Sequence, residues 1–158
     1  MMSTNRIGLD VAKSQLLSEK LNNLLANYQI LYMNVRGYHW NIQGPSFFEL
    51  HVKFEEQYND LLLKVDELAE RILTLGHRPL HAFSDYLEQS EIKEHKQACQ
   101  AQVCVEGLLA GYKLLLEKQR DLMNLAGEAG DEGTAALMND YIAQQEKTVW
   151  MLSAYLAN

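Results

Sequence analysis

The chain has little of several things. Two cysteines occur in 158 residues, Cys99 and Cys104. An i, i+5 pair inside a helical stretch is badly placed to bridge, so both read as small buried hydrophobes in a reducing compartment. There are only two prolines and few runs of β-branched residues, which excludes a strand-rich fold and leaves helices throughout. The opening MMSTNRIGLDVAKSQLL lacks the apolar run of a secretory signal, and no segment nears 18 consecutive apolar residues. The expectation is a soluble, cytoplasmic protein with no membrane partner, built as a single domain over 1–158. Basic residues are also scarce, 14 against 21 acidic, giving a net charge of −7. Residues 1–15 carry only Arg6 and Lys13 against Asp10, and the last nine residues carry no charged side chain. That excludes a simple phosphate-binding surface and makes cations the partners to consider first.

What is present is helical periodicity. A first helix is expected from an Asp10 N-cap to about Tyr38, with the seam Leu17, Leu21, Leu24, Tyr28, Leu31 and Val35. The next step of four lands on His39. Gly44-Pro45 breaks the pattern, and Ser46 with Glu49 reads as a capping box opening a second helix. Its seam is Phe47, His51, Phe54, Tyr58, Leu61, Val65, Leu68, Ile72 and Leu75, ended by Gly76. A long connection follows, in which SDYLEQ forms a short extra helix. A third long helix is expected from about Glu91 to Leu125 and a fourth from about Thr134 to Leu156. Four long helices with a long second-to-third link give an all-α, up-down-down-up four-helix bundle of ferritin-like kind, because a parallel pair needs such a link.

Two histidines thus continue apolar seams. With His51 at zero on its helix, Glu55 falls near 40°, Asp66 near 60° and Glu70 near 100°, while the seam lies near 280–340°. Glu67 has Lys64 and Arg71 within one turn, and Glu56 has Lys53, so these read as surface pairs. Glu55, Asp66 and Glu70 have no such cation. A solvated face and a metal site both remain open on these facts. His51 and Asp66 are about 22 Å apart along the axis, and His51 and Glu70 about 28 Å, so one helix cannot bring them to one ion. Two antiparallel copies related by a two-fold through about position 60 could, forming two equivalent sites, with His39 joining the His51 side. Two imidazoles and three carboxylates suit Fe(II), Mn(II) or Zn(II). Each histidine could instead be a core residue bonded to a carbonyl.

The run HWNIQGPSFFELHVKFEEQYNDLLLKVDELAERILTLG, from His39 to Gly76, resembles the Dps family (DNA-binding protein from starved cells), the miniferritins. It carries the H-W-N opening with its glycine, a second histidine twelve residues on, and D-x-x-x-E-R. The resemblance implies a dodecameric shell storing iron, with ferroxidase centres at two-fold interfaces that oxidise Fe(II) to Fe(III), often with hydrogen peroxide in preference to dioxygen. Carried over by motif, the metal and catalytic ligands are His39, His51 and Glu55 of one chain with Asp66 and Glu70 of its neighbour. Some members have Asp where this chain has Glu55. Trp40 would lie close to the centre and intercept oxidising equivalents, or simply pack at an interface. Classical ferritins use Glu-x-x-His within one chain, and no glutamate here is followed three residues later by histidine.

Family members that compact DNA commonly do so through lysine-rich ends, which this chain lacks; twelve copies at −7 would repel a duplex. The alternatives are a DNA-compacting member without a strong ferroxidase role and a structural or zinc-binding helical assembly. The resemblance also makes Glu128, Asp131 and Asp140 candidates for lining iron-entry pores; an acidic turn, with Glu132, before the last helix is equally expected from the helix dipole. His77 and His81 read as loop residues, His95 as structural, and Met33 and Met151 as core filling.

Overall fold

The computed structural model describes residues 3–157. Four long helices and one short one follow in the order α1 (Val11–Asn41), α2 (Phe47–Thr74), α3 (Phe83–Gln89), α4 (Ala101–Glu128) and α5 (Glu132–Leu156). Among the described residues β structure is limited to two isolated bridges, Thr4 with Asp10 and Gln43 with Gln100.

The topology follows from which ends meet. The backbone N–H of Gln43, between α1 and α2, donates to the Cys99 carbonyl just before α4. At the opposite end Lys13 Nζ reaches the Glu128 carbonyl, and Arg71 near the end of α2 reaches Asp131 before α5. Hence α2 and α4 run the same way, and α1 and α5 run against them. This is the up-down-down-up order. Its core contains both expected seams: Leu17, Leu21, Leu24, Tyr28 and Val35 of α1 and Phe54, Leu61, Leu68 and Ile72 of α2 have no exposed surface.

The middle of the bundle holds a neutral polar ring. Tyr28 Oη donates to Gln119 Oε1 at 2.5 Å, Gln119 Nε2 donates to Gln145 Oε1 at 2.7 Å, and Gln145 Nε2 donates to Tyr28 Oη at 2.7 Å. Each buried polar atom of this ring is satisfied by another, which is what makes its burial tolerable. Among the described residues no carboxylate belongs to this ring.

Local details depart from expectation at several points. Asp10 caps α1 as expected, accepting the Lys13 N–H at 2.9 Å. Ser46 does not cap α2 with its side chain: at φ −93°, ψ 17° it lacks the extended backbone an N-cap needs. The turn is closed instead by Phe47 N–H donating to the Gly44 carbonyl, with Gly44 at φ +111°, a conformation natural to glycine. Helix α4 begins ten residues later than the expected Glu91. Amides on α1 take the place of its first turns: Asn27 Oδ1 accepts from Ser90 Oγ and from the backbone N–H groups of Glu91 and Ile92, and Asn34 bonds both Lys93 O and His95 N. Glu67 pairs with neither Lys64 nor Arg71; it accepts from Tyr141 Oη at 2.8 Å, while Lys64 turns inward to Asp60 and Gln144. Met33 and Met151 are not core residues, being 50% and 42% exposed on outer helix faces. Lys53 and Glu56 do pair, at 2.7 Å.

Asn27 should therefore matter more than an ordinary mid-helix asparagine. Asn27→Leu strands the backbone donors of Glu91 and Ile92, at a cost of about 2–3 kcal/mol, while the Ser90 hydroxyl keeps the Ile92 carbonyl as acceptor. Amide exchange at Glu91 and Ile92 should accelerate far more than at the α1 core; equal protection would refute the pinning role.

Candidate metal centre

The short α1–α2 turn brings the last turn of α1 beside the second turn of α2. His39 Nδ1 lies 2.6 Å from the His51 carbonyl, and His51 Nδ1 lies 2.7 Å from the His39 carbonyl. A carbonyl oxygen only accepts, so both Nδ1 atoms carry a proton, and in the neutral imidazole it is Nε2 that keeps the lone pair. The rings stack at 3.9 Å with 13° between planes, Phe47 stacks on the far face of His51 at 5.0 Å, and Tyr58 meets the edge of His39 at 5.3 Å. His39 is buried and His51 half-buried. The carbonyl-bonded reading of each histidine is what the structure shows, and it leaves each Nε2 without a hydrogen-bond partner among the described residues. Such a bond is the usual device for fixing a metal-binding imidazole in one tautomer.

Glu55, one turn beyond His51, is exposed, as are Asp66 and Glu70. Among the described residues none of the three has a salt-bridge partner. Nor, among the described residues, does any group of three or more His, Cys, Asp or Glu side chains come close enough to hold an ion. The structure therefore brings His39 and His51 together and leaves Asp66 and Glu70 far along α2. The same outward sector of α2 carries Phe48, Val52, Leu62, Leu63 and Leu73, all exposed. Five exposed apolar side chains along one helix face are more than a face that meets only water usually carries.

Beyond this helix, Asp131 is not free to line a pore. It is 2% exposed, caps α5 by accepting Thr134 N–H at 3.0 Å, and pairs with Arg71 Nη2 at 2.6 Å. Glu128, Glu132 and Asp140 are exposed. His77 and His81 lie outside any helix, and His95 Nδ1 bonds Tyr38 Oη at 2.6 Å. Cys104 is buried, which pushes its thiol up to about 11, and both cysteines are free.

A family model described as a ferritin-like domain matches residues 18–158. The crystal structure of the Dps protein from Vibrio cholerae O1 superposes with a TM-score of 0.97 at 62% identity, covering 99% of each chain. The DNA protection during starvation protein of Porphyromonas gingivalis is 47% identical over 135 residues, 85% of each chain. This chain belongs to the Dps family. The Vibrio protein is described as a member of the ferritin-like diiron-carboxylate superfamily. A more distant Dps, from Listeria innocua, has been solved with two histidines twelve positions apart replaced by glycine; it matches with a TM-score of 0.87 at 26% identity, over 90% of this chain and 95% of that one. His39 and His51 have the same separation.

Sequence reasoning missed the asparagines that hold the connection and the Arg71–Asp131 link. A signal existed for the first: Asn23, Asn27 and Asn34 are spaced by four and seven, one helix face of amides where a core seam borders a loop. The second had none, since its partners are sixty residues apart.

Proposed function

We propose that this Dps-family chain is an iron-storage protein and ferroxidase, assembling as a dodecameric shell with its iron-oxidising centres at two-fold interfaces. The observation carrying this reading is the reciprocal His39–His51 pair, whose Nε2 atoms have no hydrogen-bond partner among the described residues and which joins α1 to a helix whose unpaired Asp66 and Glu70 lie too far off to be reached within one chain. His39, His51 and Glu55 of one copy with Asp66 and Glu70 of another supply neutral nitrogen and anionic oxygen donors. Nitrogen donors suit Fe(II), and the carboxylates favour the extra charge of Fe(III) as it forms. Iron is the substrate. Two Fe(II) each give one electron to hydrogen peroxide, which with two protons becomes two waters; Fe(III) then hydrolyses and mineralises inside the shell. Removing Fe(II) and peroxide together suppresses hydroxyl radical. Exposed acids such as Glu128 and Asp140 would draw cations inward.

Direct DNA compaction is not favoured. The N-terminal segment is tied down: Asn5 Oδ1 accepts from the N–H groups of Ile7 and Leu9, and Asn5 Nδ2 reaches Ser14 Oγ and the Leu75 carbonyl. It is neither basic nor free, and the net charge of −7 repels phosphate. Among the described residues no helix is long and apolar enough to cross a membrane.

The test is stopped-flow absorbance of Fe(III) after anaerobic protein with Fe(II) meets stoichiometric peroxide or air. Oxidation well above the protein-free rate, faster with peroxide, is the expected result. A rate no better than buffer refutes ferroxidase activity, and retention of zinc without turnover would then identify a structural metal site. A mobility shift at low salt, with and without magnesium, should show no DNA retained.

A further inference from the structure

Arg36 stands one turn before His39 and is unlike the other cations of the chain. Its guanidinium carbon lies 4.7 Å from the Trp40 ring, 5.0 Å from Tyr58 and 5.7 Å from Tyr32, and Nη1 donates to Tyr32 Oη at 2.8 Å. Among the described residues no carboxylate lies within ion-pair reach of it, and its buried Nε has no acceptor. A positive charge without an ion-pair partner among the described residues therefore sits against three electron-rich rings, one of which, Tyr58, touches His39.

Stability alone accounts for a cation–π contact. It does not account for the place. Taking an electron from an indole or phenol leaves a cation radical, and a guanidinium about 5 Å away opposes that by direct Coulomb repulsion, strongly where water is partly excluded. We infer that Arg36 is an electron-source selector: it holds Trp40 and Tyr58 back as donors, so that electrons reaching the oxidant come from Fe(II). It guards against a one-electron side reaction. One Fe(II) reduces one hydrogen peroxide to hydroxide and hydroxyl radical, becoming Fe(III). The radical takes one electron from Trp40, yielding hydroxide and the indole cation radical, which then loses its N–H proton to water. With the rings harder to oxidise, the radical is met by a second Fe(II) instead, giving Fe(III) and hydroxide. Trp40 is thus a reserve donor rather than the first. The purpose of this device rests on the ferroxidase reading, but the device itself does not.

The sequence supplies an internal control. Trp150 is the other tryptophan, 65% exposed against 57% for Trp40, and no cation lies over it among the described residues. Metal-free protein is exposed to azide radical, a one-electron oxidant that becomes azide, and oxygenated products at Trp40 and Trp150 are counted by peptide mass spectrometry. Arg36→Met should raise the Trp40 to Trp150 ratio about fivefold over wild type, whereas Arg36→Lys, which keeps the charge, should stay within about twofold. An unchanged ratio in Arg36→Met overturns the inference. So does an equal rise in Arg36→Lys, which would make the effect one of packing. Failure of the ferroxidase reading shows differently: wild-type protein would not oxidise iron, while the azide ratio would still respond to Arg36.

Discussion

Glu70→Ala and His51→Ala assemblies should each lose Fe(II) oxidation, by about 100-fold or more in initial rate, since a direct ligand matters at least as much as its outer partners. Co-assembling the two inactive variants should restore about a quarter of the wild-type rate. The figure follows from two-fold symmetry. A mixed dimer contains one site lacking both ligands and one site lacking neither, because its intact His51 and intact Glu70 come from opposite chains. Random pairing makes half the dimers mixed, each with one working site of two. A centre built within one chain gives no such recovery, because every chain is then defective by itself. The measurement is stopped-flow oxidation of separately purified variants, dissociated, mixed and reassembled, against each variant taken through the same cycle alone. Full activity in the Glu70→Ala protein would remove that ligand from the assignment. Two dead variants with no recovery on mixing would remove the inter-chain site.

That experiment targets the part of the molecule most legible from sequence. The histidines could be found because they occupy positions that periodicity reserves for apolar residues, and the carboxylates because they lack the local cations that Glu56 has in Lys53. What a local reading cannot see is partners far along the chain. Glu67 looked satisfied by Lys64 and Arg71, yet tertiary packing gives Arg71 to Asp131 and gives Glu67 a tyrosine, while Lys64 pairs locally with Asp60 one turn back. The segment before α4 failed for the same reason. Its residues would propagate a helix in isolation, but Asn27 and Asn34 offer its backbone better-placed partners on α1. The bundle survives these errors because seams like Leu17–Val35 bury many side chains at once, whereas a cap or a pair depends on one contact.

Arg71→Ala should destabilise the fold by about 3 kcal/mol, more than Asp131→Ala, although both break the same pair. The asymmetry comes from burial. Asp131 is 2% exposed, whereas the Arg71 side chain is 19% exposed. Without Arg71 a carboxylate stays at the α5 N-terminus with only Thr134 to bond it. Without Asp131, a guanidinium at the rim can swing to water, and what is lost is mainly a cap, about 1 kcal/mol, plus the pair. Gly133 completes the geometry: a Cβ there would lie 2.8 and 2.9 Å from the two Arg71 Nη atoms, so Gly133→Ala should reproduce part of the loss by forcing the guanidinium off Asp131. For a domain of this size 3 kcal/mol corresponds to roughly 6–12 °C in Tm. Calorimetry of the three variants at equal protein concentration decides the order, and an Asp131→Ala protein less stable than Arg71→Ala would show that the cap, not the buried charge, dominates. Glu70 precedes Arg71 directly, so the anchor also sets where α2 presents its last carboxylate. Arg71→Ala should therefore slow iron oxidation even at temperatures where the fold is intact, while leaving the His39–His51 end, more than four turns away, undisturbed.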